Sequence, residues 1–149
     1  DWSVTGVQTC ALPICIDLFR FYCGEIGQAT ALAQRDFEGT DVEDSGVINV
    51  RSESGSLGIL AGSWNIPVGM AVVELHTERA RIVYDYTVPN EVVITRNDTD
   101  PKEIVPVRSS NGFAEQIAHF LSAICNRQQP VVTAFDGRRS VEIASSIAC

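Results

Sequence analysis

The chain has 149 residues, 45% of them hydrophobic and 20% charged. That suits one globular domain with a real core and excludes global disorder. Nineteen acidic residues against 11 basic give a net charge of −8, a poor balance for general binding to nucleic acid or an anionic membrane, and no stretch approaches the roughly 18 consecutive apolar residues of a membrane helix.

Taken in chain order, the first segment stands apart. Asp1–Ile14 reads DWSVTGVQTCALPI and lacks the basic n-region and long apolar h-region of a secretory signal. Codon by codon, Val4–Ile14 back-translates into a string that resembles a widely used sequencing-library adapter. Asp1–Ser3 fits the same oligonucleotide in another frame. The expected organisation is therefore an adapter-like segment over 1–14 and one domain over 15–149, with 1–14 set aside as a cloning scar.

Ile16, Phe19 and Cys23 have helical spacing, and Gly24 supplies a stop. This reads as the second half of a helix. Ile26–Arg35 reads as extended. Ser45–Ser52 and Leu57–Ile66 form a hairpin pattern around Glu53-Ser54-Gly55-Ser56. Ala71–His76 and Ala80–Tyr86 form a second, and Glu91–Arg96 is a further β-branched run. Strands joined by loops this short pair antiparallel. The period then changes. Phe113, Ile117, Phe120, Leu121 and Ile124 share one helical stripe, capped by Ser110 or Asn111. Thr133 and Asp136 have capping-box spacing. The helix they open is expected to turn Val141, Ala144, Ile147 and Ala148 inward, with Arg138 and Arg139 solvated. The fold class is α+β: an open, mostly antiparallel sheet with helices packed on one face.

The strands have two unequal faces. Leu57, Ile59, Ala61, Val73, Leu75, Ile82 and Tyr84 are expected under the helices. The other face keeps Leu60, Val72, Val83 and Val93, which makes those four the oligomer-interface candidates.

Chemical motifs are few. The sequence has no G-x-G-x-x-G, phosphate loop, G-x-S-x-G or H-E-x-x-H. Five cysteines, at 10, 15, 23, 125 and 149, match no zinc spacing and read as reduced thiols of a cytoplasmic protein. His76 and His119 lack ligand-spaced partners, so no metal is expected. The acidic run Asp36, Glu38, Asp41, Glu43 and Asp44 reads as a solvated loop. Trp64, at a strand end, either lines a ligand pocket or packs in a core or interface.

Several phrases occur together and in order: Asp17-Leu-Phe-Arg-Phe21, Arg35-Asp-Phe-Glu-Gly-Thr-Asp-Val-Glu-Asp-Ser-Gly46, Gly62-Ser-Trp-Asn65, Glu78-Arg-Ala-Arg-Ile-Val-Tyr84 and Val132-Thr-Ala-Phe-Asp-Gly-Arg138. With the Phe113–Asn126 helix, they make Cys15–Cys149 resemble the C-terminal domain of the glucose–fructose oxidoreductase and inositol dehydrogenase family (Gfo/Idh/MocA). The resemblance implies an NAD- or NADP-dependent oxidoreductase acting on a sugar, cyclitol or similar polyol by hydride transfer. It also implies a homo-oligomer joined through the sheet.

The family places NAD(P) on an N-terminal Rossmann domain and uses a Glu-Lys-Pro lysine, and this sequence shows neither. Its His-x-x-Asp-Leu pattern aligns with Asp17-Leu18, which puts the histidine slot at Ile14 and an earlier aspartate slot at Cys10. Asp17 and Trp64 are the substrate-side candidates. No catalytic, cofactor-binding or metal-binding residue is assigned, and the chain alone is expected to be inactive and to bind no cofactor. The same fold can host lyase or hydrolase chemistry. The alternative function is a cofactor-free binding or oligomerisation module using the open sheet face.

Overall fold

The computed structural model describes residues 12–36, 42–67, 69, 71–88, 90–97, 101–108 and 110–147. In chain order the elements are α1 (Leu12–Cys23), β1 (Ile26–Gln34), β2 (Ser45–Ser52), β3 (Leu57–Ser63), β4 (Val72–His76), β5 (Arg81–Asp85), β6 (Glu91–Thr95), β7 (Glu103–Pro106), α2 (Gly112–Asn126) and α3 (Ala134–Ser146). The class is α+β, as expected, and every recorded strand pairing is antiparallel.

The strands form two sheets, β1-β2-β3 and β4-β5-β6-β7. They belong to two compact units. The first comprises Asp1–Asn65 and Gln129–Cys149, and the second Ile66–Gln128.

In the first unit, α1 packs on β2 and β3 of the three-stranded sheet, and α3 packs against α1. α1 begins at Leu12, so it includes three residues of the adapter-like segment. Pro13 is tolerated because a first-turn residue needs no intrahelical N–H partner. Leu12, Ile16 and Phe19 recur at helical spacing and are buried. They form the core with Ile26, Ile48, Val50, Ile143 and Ala144. α3 opens with the expected capping box: the Asp136 N–H donates to Thr133 Oγ1, and the Thr133 N–H donates to Asp136 Oδ2. Its inward face is Ser140, Ile143 and Ala144. Val141 is exposed, because the stripe that faces α1 runs one residue off the expected one. Ile147 packs at the edge of the core, and Ala148 lies outside the described residues.

The face assignment of β3 is reversed. Leu57 and Ile59 are 72% and 75% exposed, whereas Leu60 packs against the core. The reason is Gly58. A Cβ there would lie 2.6 Å from the Phe19 ring, so α1 sits down onto the face that carries the glycine. Leu60 is therefore on the helix-covered face, not the open one.

The second unit holds a four-stranded meander and α2. Residues paired across it place Val73, Tyr84, Leu75, Ile82 and Ile94 on one face. Val83, Val93 and Ile104 lie side by side on the other, with Val72 on that face too. β7 was not anticipated: it is short, edge-bound and ends on Pro106, a residue confined to sheet edges. α2 starts at Asn111, whose side chain accepts from the Ala114 N–H. Its predicted stripe does not lie under the sheet: Phe113 is 79% exposed, and Ile117, Phe120, Leu121 and Ile124 are also open.

Candidate functional site

α1 presents Ile14 and Asp17, one helical turn apart, on its outer side. Ile14 is exposed and Asp17 is partly exposed. One turn further on, the nearly buried Arg20 gathers three acids. Its guanidinium lies 3.6 Å from Asp17 Oδ1, 3.2 Å from Glu25 Oε2 and 3.5 Å from Asp136 Oδ1. It also donates to the Asp136 carbonyl at 3.2 Å. Arg139 closes the cluster with a 3.2 Å contact to Glu25 Oε1, so it is not merely solvated as expected. Partial burial pushes the Glu25 carboxyl up, but the Ile26 N–H and the Arg20 guanidinium outweigh it and hold the group below the usual glutamate range. Asp136 is also held low, chiefly by the Thr133 hydroxyl and amide. The cluster fixes the helix that carries Asp17 against α3.

A second constellation surrounds Trp64. Its side chain is partly exposed, and the Trp64 backbone N–H donates to the Asp44 backbone carbonyl at 2.8 Å. Asp44 itself is only 2% exposed, which corrects the solvated-loop expectation for this residue. A buried carboxylate needs donors, and the described residues supply at least three. The Asn65 amide reaches Oδ1 at 2.7 Å, the Ser45 hydroxyl reaches Oδ1 at 3.1 Å, and the Asp36 N–H reaches Oδ2 at 2.6 Å. Ser45 and Ser63 share a further 2.8 Å hydrogen bond across β2 and β3. Asp36 is exposed and Glu43 half-buried, while Glu38 and Asp41 lie outside the described residues. Sequence reasoning missed Asp44 and Asn65. Their signal was present: an acid at a strand start and an amide just past its partner strand's end, which hairpin register brings together.

These two constellations lie toward opposite ends of the β2–β3 hairpin in the first unit. The C-terminus of α1 sits at the β2–β3 turn, where the Ser54 hydroxyl donates to the Cys23 carbonyl. Phe19 lies over Gly58. α1 therefore runs antiparallel to β3, and its Ile14 end points toward the strand end that carries Trp64. No direct Asp17–Trp64 contact is recorded.

The other sequence candidates fall elsewhere. Val72, Val83 and Val93 share one face of the second unit's sheet, without Leu60. His76 pairs with Glu74 at 2.7 Å on the surface. Cys15, Cys23 and Cys125 are free thiols, and burial pushes the Cys15 thiol up. Cys10, the earlier aspartate slot, lies outside the described residues, as does Cys149. Among the described residues no cluster of His, Cys, Asp and Glu could hold a metal ion, and no helix is long and apolar enough to cross a membrane.

A dinucleotide needs a parallel β-α-β unit whose glycine-rich turn places the pyrophosphate at a helix N-terminus. The described strands pair only antiparallel and in meander order. These residues do not fit NAD or NADP.

The family model described as the GFO/IDH/MocA C-terminal domain matches residues 12–83. No curated protein matches. Among solved structures, UDP-N-acetylglucosamine 3-dehydrogenase GnnA from Acidithiobacillus ferrooxidans is similar with a TM-score of 0.85 and 20% identity, over 95% of this chain and 45% of that one. Levoglucosan dehydrogenase in complex with NADH has a TM-score of 0.84 and 18% identity, over 96% of this chain and 47% of its own. The same enzyme with NADH and levoglucosan gives 0.83 and 18%, with the same coverage. At these identities the likeness is one of fold, and the chain spans less than half the length of these relatives.

Proposed function

We propose, from the match of residues 12–83 to the GFO/IDH/MocA C-terminal domain model, that the chain is the substrate-side and oligomerisation portion of an NAD(P)-dependent oxidoreductase acting on a sugar, cyclitol or similar polyol. The observation that carries this reading is the shared α+β fold, which spans 95% of the chain in a sugar-nucleotide dehydrogenase. Levoglucosan dehydrogenase, similar over 96% of the chain, is known bound to NADH and its sugar. In this reading Trp64 and Asp17 face the substrate. The dinucleotide is held by residues outside this chain and supplies the hydride chemistry there. Val72, Val83 and Val93 meet a second copy, and the adapter-like residues 1–14 stand where the family has its catalytic histidine. The exposed apolar surfaces support it, since Leu57, Ile59 and the α2 stripe are suited to being covered by more protein.

Two measurements test it. Re-reading the source DNA across the Cys15 codon is expected to show a frame that continues upstream into a glycine-rich strand–helix unit, a Glu-Lys-Pro motif and a histidine codon at the Ile14 slot. Genomic codons for DWSVTGVQTCALPI would overturn the dehydrogenase reading and favour a cofactor-free module. Titrating NADH into the 149-residue chain, followed by nicotinamide fluorescence, is expected to show no saturable binding. Saturable binding would place a cofactor site within this chain, against the proposal.

A further inference from the structure

The β4–β5 turn and the end of β6 frame an open hollow of about 520 Å³, lined among others by His76, Glu78, Arg79, Arg81, Arg96 and Lys102. Four of these six are cations, in a chain where acids outnumber bases 19 to 11. The concentration is therefore local and runs against the composition. Register produces it. His76 is paired with Arg81, and Arg81 with Thr95, so the ends of three adjacent strands deliver Arg81 and Arg96 to one rim.

The rim is held in place. The Thr77 hydroxyl accepts from the Arg79 and Ala80 N–H groups at 3.2 and 3.0 Å, and the Thr77 N–H donates to the Ala80 carbonyl at 2.9 Å. Arg79 thus stands on a fixed turn. Glu74 accepts Nε and Nη2 of Arg81 at 2.6 and 3.0 Å. Glu103 accepts Nη1 of Arg96. These pairs orient the two guanidinium planes and partly neutralise them. Among the described residues Arg79 and Lys102 have no acidic partner.

The geometry points to a binding site for a small phosphate-bearing anion in this hollow. The volume lies within the roughly 300–1,000 Å³ of ligand sites. Arginine forks and a lysine point charge are the groups that hold phosphate oxygens. A single carboxylate would engage only part of the set, and the overall acidity of the chain disfavours a polyanion longer than the hollow. The site lies wholly in the second unit and does not depend on the family reading.

The experiment is a titration of inorganic pyrophosphate into the 149-residue chain at low ionic strength, followed by backbone amide NMR. Saturable shifts confined to residues 76–81, 96, 97 and 102 are expected, weakened at least tenfold (about 1.4 kcal/mol) in R79A/K102A. Both side chains are on the surface, so the unshifted remainder of the spectrum reports that the variant is folded. Absent shifts, equal shifts in the double variant, or the same shifts from sodium chloride at matched ionic strength would each overturn the site. Tighter binding of a short single-stranded oligonucleotide at the same residues would overturn the choice of a small ligand.

Discussion

Single residues already divide the molecule into places where charge is buried and places where it is only arranged. Asp44 is the buried case. Its carboxylate is held by Asn65, Ser45 and the Asp36 backbone, so Asn65→Ala removes one donor from a charge that cannot reach water. A loss of about 1.5–3 kcal/mol in urea denaturation is expected; an unchanged midpoint would show that the amide does not hold the corner. Glu74 is the exposed case. The Arg81 fork, with a smaller contribution from His76, holds its carboxyl at about 2. The folded value is depressed, so the pairing is fully present above the ordinary glutamate pKa of about 4.3 and is lost only as pH falls through about 2. Carboxyl NMR on Arg81→Met is expected to return Glu74 toward the ordinary value; a titration that stays near 2 would remove Arg81 as the cause. The Thr133–Asp136 capping box could be read directly from spacing, because a cap is a local event. The Asp44–Asn65 pair could not, because 21 residues and a hairpin register separate its members.

At the scale of elements, periodicity gave the type of nearly every helix and strand, yet it failed to tell the two faces of β3 apart. Both alternating sets there are apolar, so hydrophobicity cannot choose between them. What chooses is size. Gly58 leaves room for the Phe19 ring, and the helix settles on that side. Gly58→Ala is expected to cost about 1–3 kcal/mol, since the new methyl meets a buried ring and Val50 at 3.0 Å. The same denaturation series decides the faces: Leu60→Ala is expected to cost about 2 kcal/mol, whereas Ile59→Lys stays within about 0.5. The reverse ranking would restore the face order suggested by hydrophobicity alone. α2 shows the opposite limit of pattern reading. Its stripe was correctly located, but a stripe states that a surface is apolar, not what covers it.

For the whole molecule, composition correctly bounded the class, and the order of elements gave an antiparallel α+β fold. The division into two sheets was not legible, because strand spacing does not say which consecutive strands decline to pair. Asp17 and Trp64 were singled out in advance, but the supports that fix them, Arg20 and Asp44, emerge only from contacts across the chain. One of those supports bears on how the protein comes into being. Arg20 bonds Asp136 across 116 positions, and the first unit takes its two parts from opposite ends of the sequence. A ribosome making this chain releases α1 and the three-stranded sheet early, with one flank of their core still bare. The second unit, a self-contained meander with local pairings, is free to fold while its predecessor waits. Only when α3 emerges can Ile143 and Ala144 close the gap, so of the two units the one begun first is the last to be finished.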